Sequence, residues 1–392
     1  MTLPALLPAL LAAALVSAAP PQGPAPLAGE APAVPASTYE VETVAEGLSK
    51  PWDIAFLPEG SGSGDVLVTE KTGALRVVRG GALLDAPVQG TPAVFAEGQA
   101  GLFEALPHPG FARNGLLYLS YAAGPADANT LVLGRGRYVA TEEGARLDDF
   151  EVLLEAKAVR DGDAHYGGRM AWMADGSLLL TSGEAYRERH AAQSLGSHFG
   201  KILRLTEDGA PAPGNPFAGV EGALPEIWTT GHRNPQGIVR VGSAVYAHEH
   251  GPKGGDELNL IERGANYGWP GASYGLDYSG AMITPYATWD GTVQPLVQWT
   301  PSIAPSALAY YDGEAFPRWR GKLLASALAH RHVRLIDLSD PTQQRVLFGE
   351  LGARVRDVAP APDGAVWLAL EGEDGADGRV VRVTPAAGGA AD

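Results

Sequence analysis

The chain has no cysteine, so disulfides, thiolate metal sites and lipidated cysteines are all closed to it. It is also short of positive charge. Against 45 Asp and Glu there are only 29 Lys and Arg, for a net charge of -16. That balance argues against a nucleic-acid partner, whose phosphates need clustered cations, and it obliges any anionic ligand to find a local basic pocket. After residue 20 there is no long apolar run and no long amphipathic helix, so no membrane span is expected in the mature chain. What the sequence does have is turns: 51 Gly and 31 Pro interrupt short apolar runs. In 392 residues, that pattern fits one large all-β barrel or propeller better than two or three mixed domains.

Residues 1–19 form an apolar, Ala/Leu-rich stretch ending Val16-Ser17-Ala18-Ala19, the small-residue ending of a secretory signal peptide. No Lys or Arg precedes it, while Pro4, Pro8 and its shortness count against a membrane anchor. A periplasmic or secreted location is therefore expected. Residues 20–37, nearly all Pro, Ala and Gly, read as a tether with no core of its own. Residues 38–386 carry the folded domain, and 387–392 a short tail.

Within that domain a strand, a Gly/Asp turn, a second strand and a more polar third recur. Asp53-Ile54-Ala55-Phe56-Leu57-Pro58 leads to Asp65-Val66-Leu67-Val68-Thr69-Glu70 and Leu75-Arg76-Val77-Val78. The cadence returns in Met170 to Thr181 around Asp175-Gly176, and in Val358 to Ala369 around Asp363-Gly364. Each Asp-Gly pair supplies the positive backbone angle that a tight hairpin requires. About 350 residues divided by blades of roughly 50 to 60 gives six or seven blades, and six is preferred. A two-sheet sandwich would not bring so many separate segments to one place.

The polar clusters need such a meeting point. Gly231-His232-Arg233-Asn234-Pro235-Gln236-Gly237 and His248-Glu249-His250-Gly251-Pro252-Lys253-Gly254-Gly255-Asp256-Glu257 gather a guanidinium, histidines, carboxylates and a backbone loosened by glycine. Carbonyls and carboxylates converging on one point suit a hard cation such as calcium. His248 and His250 would share one face of a strand, as zinc might want, but no third nitrogen ligand has a suitable spacing. Gln99 lies in Gly98-Gln99-Ala100-Gly101, and His165 in Asp163-Ala164-His165-Tyr166-Gly167-Gly168-Arg169, where two glycines free the imidazole to face a cavity as a general base. Taken alone, Gln99 reads as a turn residue and His165 equally well as a structural histidine. Thr181-Ser182-Gly183-Glu184 ends a strand in a carboxylate. Asn266-Tyr267-Gly268-Trp269-Pro270, Tyr278 and the run from Trp299 to Ser306, with Ser302, add aromatics that also suit a propeller core. Arg354 and Arg356, two apart on a strand, project to one face as a clamp for carboxylates.

In this order, these motifs resemble the glucose/sorbosone dehydrogenase family of soluble quinoproteins, and within it the aldose sugar dehydrogenase branch. The similarity runs from about Thr43 to Val383. The resemblance implies a six-bladed β-propeller that uses pyrroloquinoline quinone (PQQ) and calcium to oxidise the anomeric carbon of an aldose sugar to a lactone, with an external electron acceptor. It makes His165 the base, and gives Arg233 the charge growing on the quinone oxygen. PQQ would be held by Gln99, Arg233, Asn234, Tyr278, Ser302, Arg354 and Arg356. The carbonyls of Gly251 and Pro252 would bind a calcium against the cofactor; Glu257 and the carbonyl of Tyr267 would bind a second, structural one. Three positions depart from the glucose dehydrogenase branch: Ala164 and Glu184 stand where it has aspartates, and the segment Ala327-Leu328-Ala329-His330 lacks its lysine. The competing functions are a calcium-dependent propeller lactonase or hydrolase, which would leave the arginine pair without a task, and a non-catalytic sugar-binding propeller.

Overall fold

A computed structural model describes residues 20–21, 23–58 and 64–387. The expected signal peptide, and residues 388–392 of the expected tail, lie outside them. The described residues build six four-stranded antiparallel sheets, the six-bladed β-propeller anticipated from the repeat. Blade 1 comprises Pro51–Phe56, Val66–Glu70, Leu75–Arg79 and Ala82–Leu83. Blade 2 begins at Leu102–Pro107, blade 3 at Gly167–Trp172, blade 4 at Pro235–Val241 and blade 5 at Pro305–Tyr311. Blade 6 comprises Arg354–Pro360, Val366–Glu371 and Gly378–Pro385, and Tyr39–Leu48 supplies its outer strand. The ring is thus closed by pairing the first long strand with the last.

Six apolar clusters make the core, one at each junction between neighbouring blades. Leu67 and Leu75 meet Leu117 and Leu119 between blades 1 and 2, for example, and Ile54 and Val68 meet Trp367 and Val380 between blades 6 and 1. A strand packed on both faces is largely apolar, and Leu178–Ser182, three leucines followed by Thr181 and Ser182, is buried at every position. The outer strand Ala145–Glu155 alternates between core and solvent, which is why the later strand of each repeat looked more polar.

The Pro/Ala-rich stretch is more than a tether. Leu27 bridges Gln298 and Ala33 bridges Val346, so the segment lies along the outer strands of blades 4 and 5, and Val34 is buried in the core between blades 5 and 6. Outer strands carry unpaired backbone groups, and an extended segment can satisfy some of them: Ala28 N donates to Gln298 O at 2.8 Å and Val34 N to Val346 O at 2.8 Å. Among the described residues, no helix is long and apolar enough to cross a membrane.

Candidate active site

The innermost strand of every blade starts at the same end of the ring, and near each start the register with the next strand slips. The slips lie between Pro51 and Asp53, Leu102 and Ala105, Gly167 and Met170, Pro235 and Gly237, Pro305 and Ala307, and Val355 and Asp357. Such irregularities bend a strand and re-aim its side chains. Here they surround a cavity lined by Trp52, Lys71, Gln99, Asn234, His250 and Arg356, among others. Under Trp52 lies Arg169, its guanidinium 3.9 Å from the indole centre. Arg169 bonds Asp53 at 2.8 Å, Asp357 at 3.2 Å and the carbonyls of Gln236 and Ser306, with Glu104 at 4.0 Å. One buried cation from blade 3 thereby ties to the other five blades.

His165 sits just before the first strand of blade 3 with φ 52°, a left-handed angle that is costly for a residue with a Cβ. Its neighbours hold it there. Its amide donates to Gln99 Oε1 at 2.9 Å, and its carbonyl accepts from Arg160 at 3.2 Å. The ring stands edge-on to Tyr186, and Nδ1 lies 3.1 Å from Glu184 Oε1. Burial, with Arg233 and Arg160 nearby, pushes the imidazole well below its usual range, so it is neutral at pH 7. Burial also raises Glu184 to about 7, against the opposing pull of Arg233. Asn234 Oδ1 accepts from Gly167 N at 3.1 Å, so Gln99 and Asn234 both line the cavity and brace the turn that carries the histidine.

Arg354 and Arg356 do face one way, and the structure adds what holds them. Glu371 accepts from Arg354 Nε at 2.7 Å and from Arg356 Nε at 2.7 Å. The sequence signal for Glu371 is the same as for Glu184, a buried strand ending in a carboxylate, and Glu371 is the cross-strand partner of Arg354. Lys71, in the turn after Val66–Glu70, lines the cavity too, and nothing local marks it, because a lysine in a Glu-Lys-Thr-Gly turn looks like an ordinary solvated residue.

On the blade 4 side, Arg233 donates to the carbonyls of Gly251 at 2.7 Å and His250 at 3.2 Å, and stands over Trp269 and Tyr278. Its amide donates to Glu249 at 2.6 Å, and Glu249 also bonds His232 at 2.8 Å. Glu257 faces Glu249 across the sheet, and Asn259 donates to both carboxylates at 3.3 Å while its own Oδ1 is buried without a partner among the described residues. Tyr267 stacks on His232 beside them. Burial and then Glu249 push Glu257 well above the usual carboxylate range. Three residues expected to hold the cofactor do not line this cavity. Ser302 is turned to Asp256, to which it donates at 2.7 Å, while Arg233 and Tyr278, the latter 58% exposed, line a smaller neighbouring pocket with Glu184, Tyr186 and Pro252. Among the described residues no group of three or more His, Cys, Asp or Glu could hold a metal, whether around His248 and His250 or around Glu249 and Glu257.

A sequence profile described as Glucose / Sorbosone dehydrogenase matches residues 48–382. The chain is 36% identical over 357 residues to Aldose sugar dehydrogenase YliI of Escherichia coli, covering 89% of this chain and 94% of that one. A crystal structure of a glucose dehydrogenase superposes with a TM-score of 0.82 at 39% identity, covering 88% of this chain and 99% of the other. The PQQ-bound form of Aldose Sugar Dehydrogenase from Streptomyces coelicolor does so with a TM-score of 0.71 at 28% identity, covering 90% and 100%. Six closed blades, a buried histidine near their common mouth and a match across nearly the whole folded domain agree: the chain belongs to the glucose/sorbosone dehydrogenase family.

Proposed function

We propose that this protein oxidises the anomeric carbon of aldose sugars to lactones, using PQQ and calcium and passing the electrons to an external acceptor. The observation that carries this reading is a buried, neutral His165, tethered to Glu184 and bonded through its amide to Gln99, which lines a cavity together with Arg354 and Arg356. PQQ is a planar tricarboxylate, and the lining suits one: Arg354 and Arg356 for its charges, the amides of Gln99 and Asn234 for its polar edge, and Trp52 and Phe103 for its rings.

Calcium takes oxygen ligands, and the Gly251 turn is crowded with them. A Cβ at Gly251 would collide with the carbonyl oxygens of Gly254 and Gly255, so main-chain oxygens already converge there. The carbonyls of Gly251 and Pro252 would hold the ion next to the cofactor, and Arg233 would then have to share or release Gly251. Facing Glu249 and Glu257, with the unpartnered Oδ1 of Asn259, suit a second cation that the carbonyl of Tyr267 would complete.

Bound PQQ would supply a quinone able to accept hydride, and calcium a Lewis acid beside it. The chain does the rest. Glu184 accepts a hydrogen bond from Nδ1–H of His165, which fixes the tautomer and leaves Nε2 to accept the proton of the sugar's C1 hydroxyl. Arg233, anchored on two carbonyls, would stabilise the negative charge that develops on the quinone. Purified apo-protein supplied with PQQ and calcium should gain a visible absorbance and then reduce a dye when aldoses are added. Lactone hydrolysis without quinone, and no dye reduction with it, would favour the hydrolase instead.

A further inference from the structure

The cavity holds a third cation. Lys71 lines it together with Arg354 and Arg356, although it comes from blade 1 and they come from blade 6. Its ammonium donates to the carbonyl of Gly98, the residue next to Gln99. The segment from Gly98 to Gly101 is shaped around it. A Cβ at Gly101 would collide with the Lys71 carbonyl and side-chain stem, and Leu102 N donates to that carbonyl at 3.2 Å. On blade 5, by contrast, the cavity is met by Leu328, whose neighbours in Ala327-Leu328-Ala329-His330 include no lysine.

We propose that Lys71 is a direct contact for a carboxylate of the bound polycarboxylate cofactor, so that the anion wall is built from two blades, with Glu371 holding the arginines and Gly98 the lysine. This rests on the PQQ reading above. The ammonium is partly withdrawn from water and lies near other charges: Arg356 and Lys50 repel it, and Glu371 and Asp163 attract it. Burial first, then the two cations, lower its pKa to about 8 in the absence of a ligand. An arriving carboxylate favours the charged form. Binding above that pH must therefore draw a proton onto Nζ, and binding at lower pH must not.

The test is a PQQ titration of the whole protein in millimolar calcium at pH 7 and pH 9, followed by calorimetry in buffers of different ionisation heat, for wild type, Lys71→Met and Lys71→Arg. Thermal unfolding of each variant confirms its fold. Wild type should bind about tenfold more weakly at pH 9 than Lys71→Arg does, relative to their values at pH 7, and should take up a proton that Lys71→Arg does not. Lys71→Met should bind about tenfold or more weakly at pH 7, with Lys71→Arg recovering most of the loss. Wild-type affinity in Lys71→Met, with the same proton uptake, would overturn the assignment while leaving the cofactor reading intact. Wild type that binds no PQQ at either pH would overturn both.

Discussion

His165 and Glu184 act as one unit. The left-handed backbone at His165 and the burial of the Glu184 carboxylate are both unfavourable taken singly. Together they place one ring nitrogen on a carboxylate, and under the proposed mechanism the other would take the substrate's proton. In reconstituted protein, His165→Ala should lower turnover by ~10²–10⁴ while leaving PQQ affinity largely unchanged. Steady-state rates set beside a quinone titration separate the two effects, and unchanged turnover would remove His165 from the mechanism. The pH profile addresses Glu184. The imidazole is neutral well below pH 6.5, whereas Glu184 ionises near 7. Only the ionised carboxylate keeps the proton on Nδ1, so kcat/KM should rise as pH passes through about 7. Glu184→Gln should abolish that limb and leave one at lower pH; a limb that stays near 7 in the variant would contradict this.

The same economy recurs in the hairpins, where register decides which charges meet. Glu249 and Glu257 are direct cross-strand partners, an arrangement that is unfavourable unless a proton or a cation intervenes. Calcium should therefore raise the unfolding temperature of the apo-protein with no quinone present, and Glu257→Gln should remove most of that rise; an equal rise in the variant would take the second calcium away from this hairpin. Hairpins were also the part of the fold most legible in the sequence. Counting outward from Asp363-Gly364 pairs Pro360 with Val366 and Asp357 with Ala369, and the apolar pattern of both strands follows. The slip beyond Asp357 is what brings Arg354 opposite Glu371, and no local pattern marks it. Lys71 was hidden for a related reason: its cavity neighbours Arg354 and Arg356 belong to the last blade, so its burial is a product of ring closure. The tether expected at residues 20–37 concealed its contacts likewise, since Leu27 and Ala33 meet strands near the other end of the chain.

At the scale of the whole molecule, Arg169 joins the ring beneath the cavity. Arg169→Met strands Asp53, Glu104 and Asp357 around an apolar side chain and should destabilise the fold by about 3–5 kcal/mol in urea unfolding. A loss within experimental error would show that the blades close without it. The cluster also sets a pH dependence. Burial first, then Asp357, raise Asp53 to about 7 against the pull of Arg169. A carboxyl that holds its proton more tightly folded than unfolded contributes its full stability below about pH 4 and loses it as pH rises through its folded value. The stability of wild type minus that of Asp53→Asn should therefore fall between pH 4 and 7 and then level off; a difference constant with pH would contradict the assignment. Above this joint, six bulged strand starts converge on one cavity, and the claim that the cavity is built for PQQ rests on that convergence. Calorimetric titration of apo-protein with PQQ, in millimolar calcium and in excess chelator, tests it most directly. One PQQ per chain bound in calcium, with affinity markedly weakened by the chelator, is the predicted result; no binding in calcium, or equal affinity in both, would contradict it.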